Sequence, residues 1–267
     1  MSYKIGFIGT GVMGGALSRA VAENEGSLLL SNIPEAPAKA LAGELGCEFG
    51  TNEQVAKECE YIVLSVKPQV IREVIGEIAP VLKSRTDNFV IITIAAGISV
   101  DTVRKESGLD CPVIRLMPNT PVLVGKGVIL CVFDGVEDAA KREFYRMFKA
   151  AGYCDEISER DIDAAGALTG CGPAFAYIAM KSLADGAAAC KIEPEKAKKY
   201  AELTVLGAAQ LAFDSGEDLE KLKEAVCSPK GTTVEGVGVL EEREVRRAFA
   251  DAVKASYKRS LELGKQK

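Results

Sequence analysis

Two short stretches of the chain hold residue types suited to gripping an anion, one near each end. Near the start, "IGFIGTGVMGGAL" (5–17) sets Gly9, Gly11 and Gly14 in a G-x-G-x-x-G spacing, after a strand-like run and at the opening of a helical pattern. The first glycine of such a loop permits a tight turn, the second lets the backbone approach a pyrophosphate, and the third lets the helix lie close to the sheet. The first turn of that helix offers unpaired N–H groups to the phosphates. This predicts a dinucleotide site. Near the other end, "SPKGTT" (228–233) gathers three hydroxyls around a proline and a glycine, in a region that otherwise has helical spacing. "TTVE" (232–235) has the S/T-x-x-E form of a capping box, so a helix is expected to begin at Thr232. The N–H groups of a first helical turn, with hydroxyls beside them, suit a small carboxylate. A plainly capped helix start is the structural alternative.

The residues after the second strand bear on which dinucleotide binds. An Asp or Glu about 20 residues beyond the glycines grips the ribose 2′-hydroxyl in NAD enzymes. Here "LLLSNIPE" (28–35) puts Ser31 and Asn32 at that place. Neutral donors accept a 2′-phosphate without repulsion, which favours NADP(H), with NAD(H) as the second choice, although no arginine completes the grip. Three further strand ends, "LSVKPQ" (64–69), "IAAGIS" (94–99) and "LMPNTP" (116–121), replace β-branched residues by small ones or prolines. A flat nicotinamide at the carboxyl ends of the strands needs that room; ordinary strand-to-helix turns account for each stretch taken singly.

The elements that must position these stretches are legible from periodicity. Apolar runs at 4–8, 27–31, 61–66, 89–94, 113–117 and 128–133 alternate with helical patterns at 12–23, 34–45, 69–82, 100–107 and 137–150. Strands that are apolar nearly throughout imply a mostly parallel sheet with helices on both faces, an α/β, Rossmann-type arrangement. From about Asp161 the strand signal stops and helical spacing runs to the end, with Val245, Phe249, Ala252, Val253 and Ser256 on one stripe. The expected domains are therefore 1–160, binding the nucleotide, and 161–267, all-helical, with the polar "DEISERDID" (155–163) at the boundary.

Composition narrows the function classes. The 267 residues are 48% hydrophobic with a net charge of −5 and no basic tract, so nucleic acid is not an expected partner. There is no histidine, and the eight cysteines (Cys47, Cys59, Cys111, Cys131, Cys154, Cys171, Cys190, Cys227) form no C-x-x-C pair, so no metal site is expected. They read instead as small buried hydrophobes in a reducing compartment. The longest weakly polar stretch, 164–180, contains Gly, Pro and Thr and is short for a membrane span, and no leader precedes the first strand. A soluble cytoplasmic protein, with no membrane partner, is the expectation.

The glycine loop, "SVKPQ", "AAG", "MPNTP", "ALTGCGPAFAYIAMKSLADGA" (167–187) and "SPKGTTVEGV" (228–237) together make the chain resemble pyrroline-5-carboxylate reductases, almost end to end. The last two stretches are the specific ones, because general Rossmann enzymes lack them. The resemblance implies NAD(P)H-dependent reduction of the cyclic imine 1-pyrroline-5-carboxylate to L-proline. It also implies a homodimer made through an interlocking helical domain, often assembled further into decamers. Carried over residue by residue, the dinucleotide would meet Ile8, Gly9, Thr10, Gly11, Val12, Met13 and Gly14, with Asn32 and Ile33 near the adenosine ribose. Asn52, Ser65, Val66, Lys67, Pro68, Ile94, Ala95 and Ala96 would also line that site. The imino acid would meet Glu159, Ser228, Gly231, Thr232 and Thr233, the loop coming from the partner subunit, and Thr233 would act in catalysis. Ile33 stands where the family commonly has arginine, Ala225 where an amide is frequent, and Lys230 where glycine is usual. The absence of histidine fits this chemistry, because an imine can be protonated before it is reduced. Residues 167–187 are expected to form one helix started or kinked at Pro173. Lys181 invites comparison with the catalytic lysine of β-hydroxyacid dehydrogenases, but reads better as a surface or interface residue.

Overall fold

In the computed structural model, which describes residues 2–265, eight strands form one sheet in the order β3-β2-β1-β4-β5-β6-β7-β8. They are β1 (Tyr3–Ile8), β2 (Leu28–Ser31), β3 (Glu48–Phe49), β4 (Cys59–Leu64), β5 (Val90–Thr93), β6 (Val113–Met117), β7 (Gly127–Asp134) and β8 (Gly152–Glu156). Every neighbouring pair is parallel except β6 and β7, which run antiparallel with Met117 opposite Leu130. The strand order reverses between β2-β1 and β4-β5, so β1 lies at the switch point where ligands bind in sheets of this kind.

The strands are apolar at successive positions because both faces are covered. Phe7, Leu30, Val63 and Ile92 pack beneath α1 (Val12–Ala22), α2 (Ala36–Leu45) and α6 (Asp138–Phe148). Ile8, Leu29, Ile62 and Ile91 pack beneath α3 (Asn52–Glu58), α4 (Ile71–Ser84) and α5 (Val100–Ser107) on the other face. Phe144 stacks on Phe148 with ring centroids 4.4 Å apart, and the Phe133 ring meets Phe144 edge-on at 5.4 Å.

Three elements lie outside the sequence expectation. β3 is two residues long, and β8, "GYCDE", is an edge strand too polar to show alternation. The short helix α3 had a usable signal. Thr51 accepts from the Gln54 N–H while the Gln54 side chain accepts from the Thr51 N–H, a capping box written in "TNEQ".

The chain divides into two units. One runs to Gly170 and includes residues from Tyr257 onward; the other is Cys171–Ser256. The expected boundary was 160/161, whereas α7 (Ile162–Thr169) falls with the first unit. There Ile162 is fully buried, and a Cβ on Gly166 would come within 2.0 Å of the Met117 sulfur. The segment 167–187 is not one helix, as expected, but the end of α7 and most of α8 (Gly172–Ala189), which begins with Pro173 in its first turn. That position tolerates proline because its missing N–H would have no helical partner.

The second unit continues with α9 (Pro194–Ser215), α10 (Leu219–Ala225), α11 (Thr232–Glu242) and α12 (Val245–Lys265), the last crossing into the first unit's residues. Among the described residues of 171–256 only Ala184, Ala197 and Ala201 are buried, while Tyr177, Ile178, Leu206, Leu211 and Phe213 are exposed. Helices with this much uncovered apolar surface call for another surface to bury it. No helix among the described residues is long and apolar enough to cross a membrane.

Candidate functional site

The turn after β1 is held from both neighbouring strands. Gly9 N–H donates to the Ser31 carbonyl at 2.8 Å, and Ser65 N–H donates to the Ile8 carbonyl at 2.9 Å. Ser65 Oγ donates to the Gly9 carbonyl at 2.6 Å and lies 3.1 Å from that of Ile8. Gly9 has φ +102°, a conformation that disfavours side chains, and a Cβ there would lie 2.7 Å from the Ser65 carbonyl oxygen. A Cβ on Gly14 would lie 2.3 Å from the Gly9 carbonyl oxygen, so the third glycine lets α1 sit against the turn.

Gly11 differs from both. Nothing lies within 4 Å of where its Cβ would be, so the fold itself does not require glycine there. The space is open in front of α1, whose N-cap is Gly11, whose first turn has no acidic residue, and which has no side-chain cap. Thr10 Oγ1 is buried without a hydrogen-bond partner among the described residues. An open approach, uncapped N–H groups and an orphaned hydroxyl fit a pyrophosphate.

The remaining expected dinucleotide contacts converge on the same end of the sheet. Ser65, Val66, Lys67 and Pro68 leave β4, and Ile94, Ala95 and Ala96 leave β5, with Ile94 N–H donating to the Leu64 carbonyl at 3.2 Å. Val12 and Ile33 are 78% and 80% exposed, and Met13, next to Val12 in sequence, is half-buried. Two of the polar residues are already engaged within the fold. Asn32 Oδ1 accepts from Thr10 N–H at 2.9 Å while its Nδ2 donates to the Pro34 carbonyl. The Ser31 hydroxyl donates to Asn52 Oδ1 at 2.7 Å, so its proton is not available to a ribose substituent.

"MPNTP" is a structural turn here. Asn119 is buried, donates to the Thr169 carbonyl and accepts from Val128 N–H, pinning the 3-10 turn Thr120–Val124. Its amide is spent on the chain.

Glu159 lies in the first unit beside Arg115, which was not among the expected site residues. Arg115, mid-strand in β6 and 5% exposed, donates to Glu159 Oε1 at 2.8 Å and to Asp163 Oδ1 at 2.9 Å. Glu159 Oε2 is buried and unpartnered among the described residues. Arginine inside "VIRLM" is a visible signal, since a charge within an apolar strand must be paired.

The C-terminal loop lies in the second unit. Gly231 N–H donates to the Ser228 carbonyl at 2.9 Å, and Lys230 takes φ +61°, the left-handed region that glycine adopts more readily than lysine. The expected capping box is absent. Gly231 is the N-cap of α11 in an extended conformation, Thr232 is already inside the helix, and no side chain caps it. A Cβ on Gly231 would come within 2.3 Å of Ser228 Oγ. The hydroxyls of Thr232 and Thr233 therefore have no hydrogen-bond partner among the described residues, and the first-turn N–H groups are uncapped. Thr232 is exposed and Thr233 half-buried. Lys181 is exposed and ion-paired one turn along with Asp185.

All eight cysteines are free; Cys59, Cys111 and Cys131 are buried and Cys190 is exposed, so the buried-hydrophobe reading holds for only some of them. Burial pushes the Cys59 thiol up to about 12. No group of three or more Cys, Asp or Glu among the described residues is placed to hold a metal.

A family model described as pyrroline-5-carboxylate reductase dimerisation matches residues 159–263, and one described as NADP oxidoreductase, coenzyme F420-dependent, matches residues 4–97. The pyrroline-5-carboxylate reductase of Arabidopsis thaliana is 36% identical over 98% of this chain and 96% of its own. The solved pyrroline-5-carboxylate reductase of Coxiella burnetii superposes with a TM-score of 0.90 at 29% identity, covering 98% of this chain and 99% of that one. The Plasmodium falciparum pyrroline carboxylate reductase with NADP bound superposes with a TM-score of 0.86 at 29% identity, covering 98% of each chain.

The two kinds of loop glycine separate in a simple experiment. Gly11→Ala keeps the wild-type melting temperature but loses NADPH affinity by about 10-fold or more, because its methyl group occupies ligand space. Gly14→Ala loses both affinity and stability, since its methyl group strikes backbone. Fluorescence titration and thermal unfolding of the two variants check this. Arg115→Met leaves two carboxylates facing each other without their cation and lowers unfolding stability by about 3 kcal/mol in urea titrations. Arg115→Lys, lacking the two-pronged reach, falls between.

Proposed function

The chain belongs to the pyrroline-5-carboxylate reductase family, and we propose that the 228–233 loop grips the substrate's carboxylate with Thr233 as the residue that meets the reacting ring. The protein reduces the cyclic imine 1-pyrroline-5-carboxylate to proline. The reductant is NADPH, which when bound supplies the hydride; NADH is the alternative donor. Ile8, Gly9, Thr10, Gly11, Val12, Met13 and Gly14 would hold it, with Asn32, Ile33, Asn52, Ser65, Val66, Lys67, Pro68, Ile94, Ala95 and Ala96 around them.

One observation carries the substrate assignment: two threonine hydroxyls and an uncapped helix start, left without protein partners in a loop built around Gly231. A small carboxylate satisfies such N–H groups and is favoured by the positive end of the helix dipole. Ser228, Gly231 and Thr232 take the carboxylate, and Thr233 Oγ1 accepts a hydrogen bond from the protonated ring nitrogen. The ring arrives as an iminium, so no side chain has to deliver a proton to the reacting carbon's neighbour, which is why a chain without histidine suffices. What the protein contributes is alignment and exclusion of water. Glu159, held by Arg115, which also pairs with Asp163, contributes an acceptor fixed in position.

The helical unit is a dimerisation domain, and a partner protomer covers the apolar residues left exposed on it. We infer further that the loop is supplied across the dimer, that dimers assemble to decamers, and that the enzyme works in the cytoplasm, where eight unpaired thiols persist.

Thr233→Ala should cut kcat/KM for the imine by about 10- to 100-fold, the worth of one hydrogen bond to a charged group, with NADPH affinity and melting temperature unchanged. Steady-state kinetics with 1-pyrroline-5-carboxylate decide it, and wild-type values would remove Thr233 from the site.

A further inference from the structure

The end of β2 carries a carboxylate that β2 itself does not supply. Beyond its bond to Ser31, Asn52 donates through Nδ2 to Glu77 Oε2 at 2.9 Å. Asn52 is 4% exposed and sits at the start of α3, so it forms a rigid link between the last residue of β2 and a side chain of α4. Glu77 itself faces solvent.

No cation balances it from the β2–α2 connection. Asn32 is occupied by Thr10 and Pro34, Ile33 is apolar, and Glu35 adds a second carboxylate whose charge is taken by Lys39 at 2.7 Å. In sheets of this kind the adenosine ribose lies at the end of the second strand, where a carboxylate suits a 2′-hydroxyl and an arginine suits a 2′-phosphate. We infer that Glu77 is a specificity-determining residue. Its carboxylate, tied to the end of β2 through Asn52, disfavours a ribose 2′-phosphate and narrows the margin by which the enzyme favours NADPH over NADH. This deepens the proposed function and rests on the glycine loop being a dinucleotide site.

Glu77→Gln is the decisive variant, because glutamine keeps an oxygen to accept from Asn52 and removes only the charge. Isothermal titration of the full-length enzyme with 5′-AMP, 2′,5′-ADP, NADH and NADPH reads the effect without turnover. The 2′-phosphorylated ligands should bind the variant about three- to ten-fold more tightly than wild type at low ionic strength, with 5′-AMP and NADH held within about two-fold. The gain should shrink at about 0.5 M salt, as expected for an exposed charge. Glu77→Lys should move the 2′-phosphorylated ligands further in the same direction, which guards against a poorly folded glutamine variant. Equal affinities of wild type and both variants for 2′,5′-ADP would leave Glu77 as a mere support for Asn52 and overturn the inference. A wild-type enzyme that binds none of the four ligands would overturn the dinucleotide reading, and the inference with it.

Discussion

The nucleotide half of this molecule depends on one constraint: the turn after β1 has to pass between two strands and a helix start with no side chains in the way. Gly9 and Gly14 stand where a single carbon would collide with backbone, 2.7 Å from one carbonyl oxygen and 2.3 Å from another. Once those carbons are absent, the turn is stitched to β2 by Gly9 N–H and Asn32, and to β4 by both polar groups of Ser65. The stitching leaves the first turn of α1 uncapped and facing outward, which is the state an anion-binding helix must be in before its ligand arrives. Preorganisation of this sort lowers the ordering cost that binding would otherwise incur.

Buried polar side chains divide the labour with exposed ones. Ser31, Asn52, Arg115 and Asn119 all find partners inside the protein and position the strand ends. Among the described residues, Thr10 Oγ1 beside the glycine turn is buried without a partner, as are Asn24 Nδ2, Glu159 Oε2 and Thr169 Oγ1, while the hydroxyls and helix N–H groups after Gly231 have no protein partner. A buried polar group without a partner is costly, so Thr10 Oγ1 beside the open glycine turn marks a place where a ligand completes the network. That contrast is why "MPNTP", though close in sequence style to the other strand ends, belongs to the scaffold.

The two units solve the burial problem differently. The first closes its own core on both sheet faces, with Phe144, Met147 and Phe148 fully buried on one side and Ile71, Ile75 and Ile78 on the other. The second buries three alanines and leaves its large side chains outside. A helical layer so incomplete is stable only as half of something, and its match to a dimerisation domain says what the other half is.

Local information was readable along the chain. Near-continuous apolar runs placed six strands, the 3.6-residue period placed α1, α2, α4, α5 and α6 (100–107 to the residue) and the stripe of α12, and glycine spacing located the phosphate turn. The departures are instructive. β8 was hidden because an edge strand need not be apolar, and the capping box at 232–235 failed because Gly231, turned back onto Ser228, took the cap position first. What only the tertiary structure decided is which distant side chains meet. Arg115 finds Glu159 across 44 residues, Ser65 finds Gly9 across 56, and Asn52 finds Glu77 across 25. Period and spacing act over a few residues and leave a mark in sequence. Pairings such as these follow from strand order and from which helix covers which face, and a single sequence carries no local trace of either.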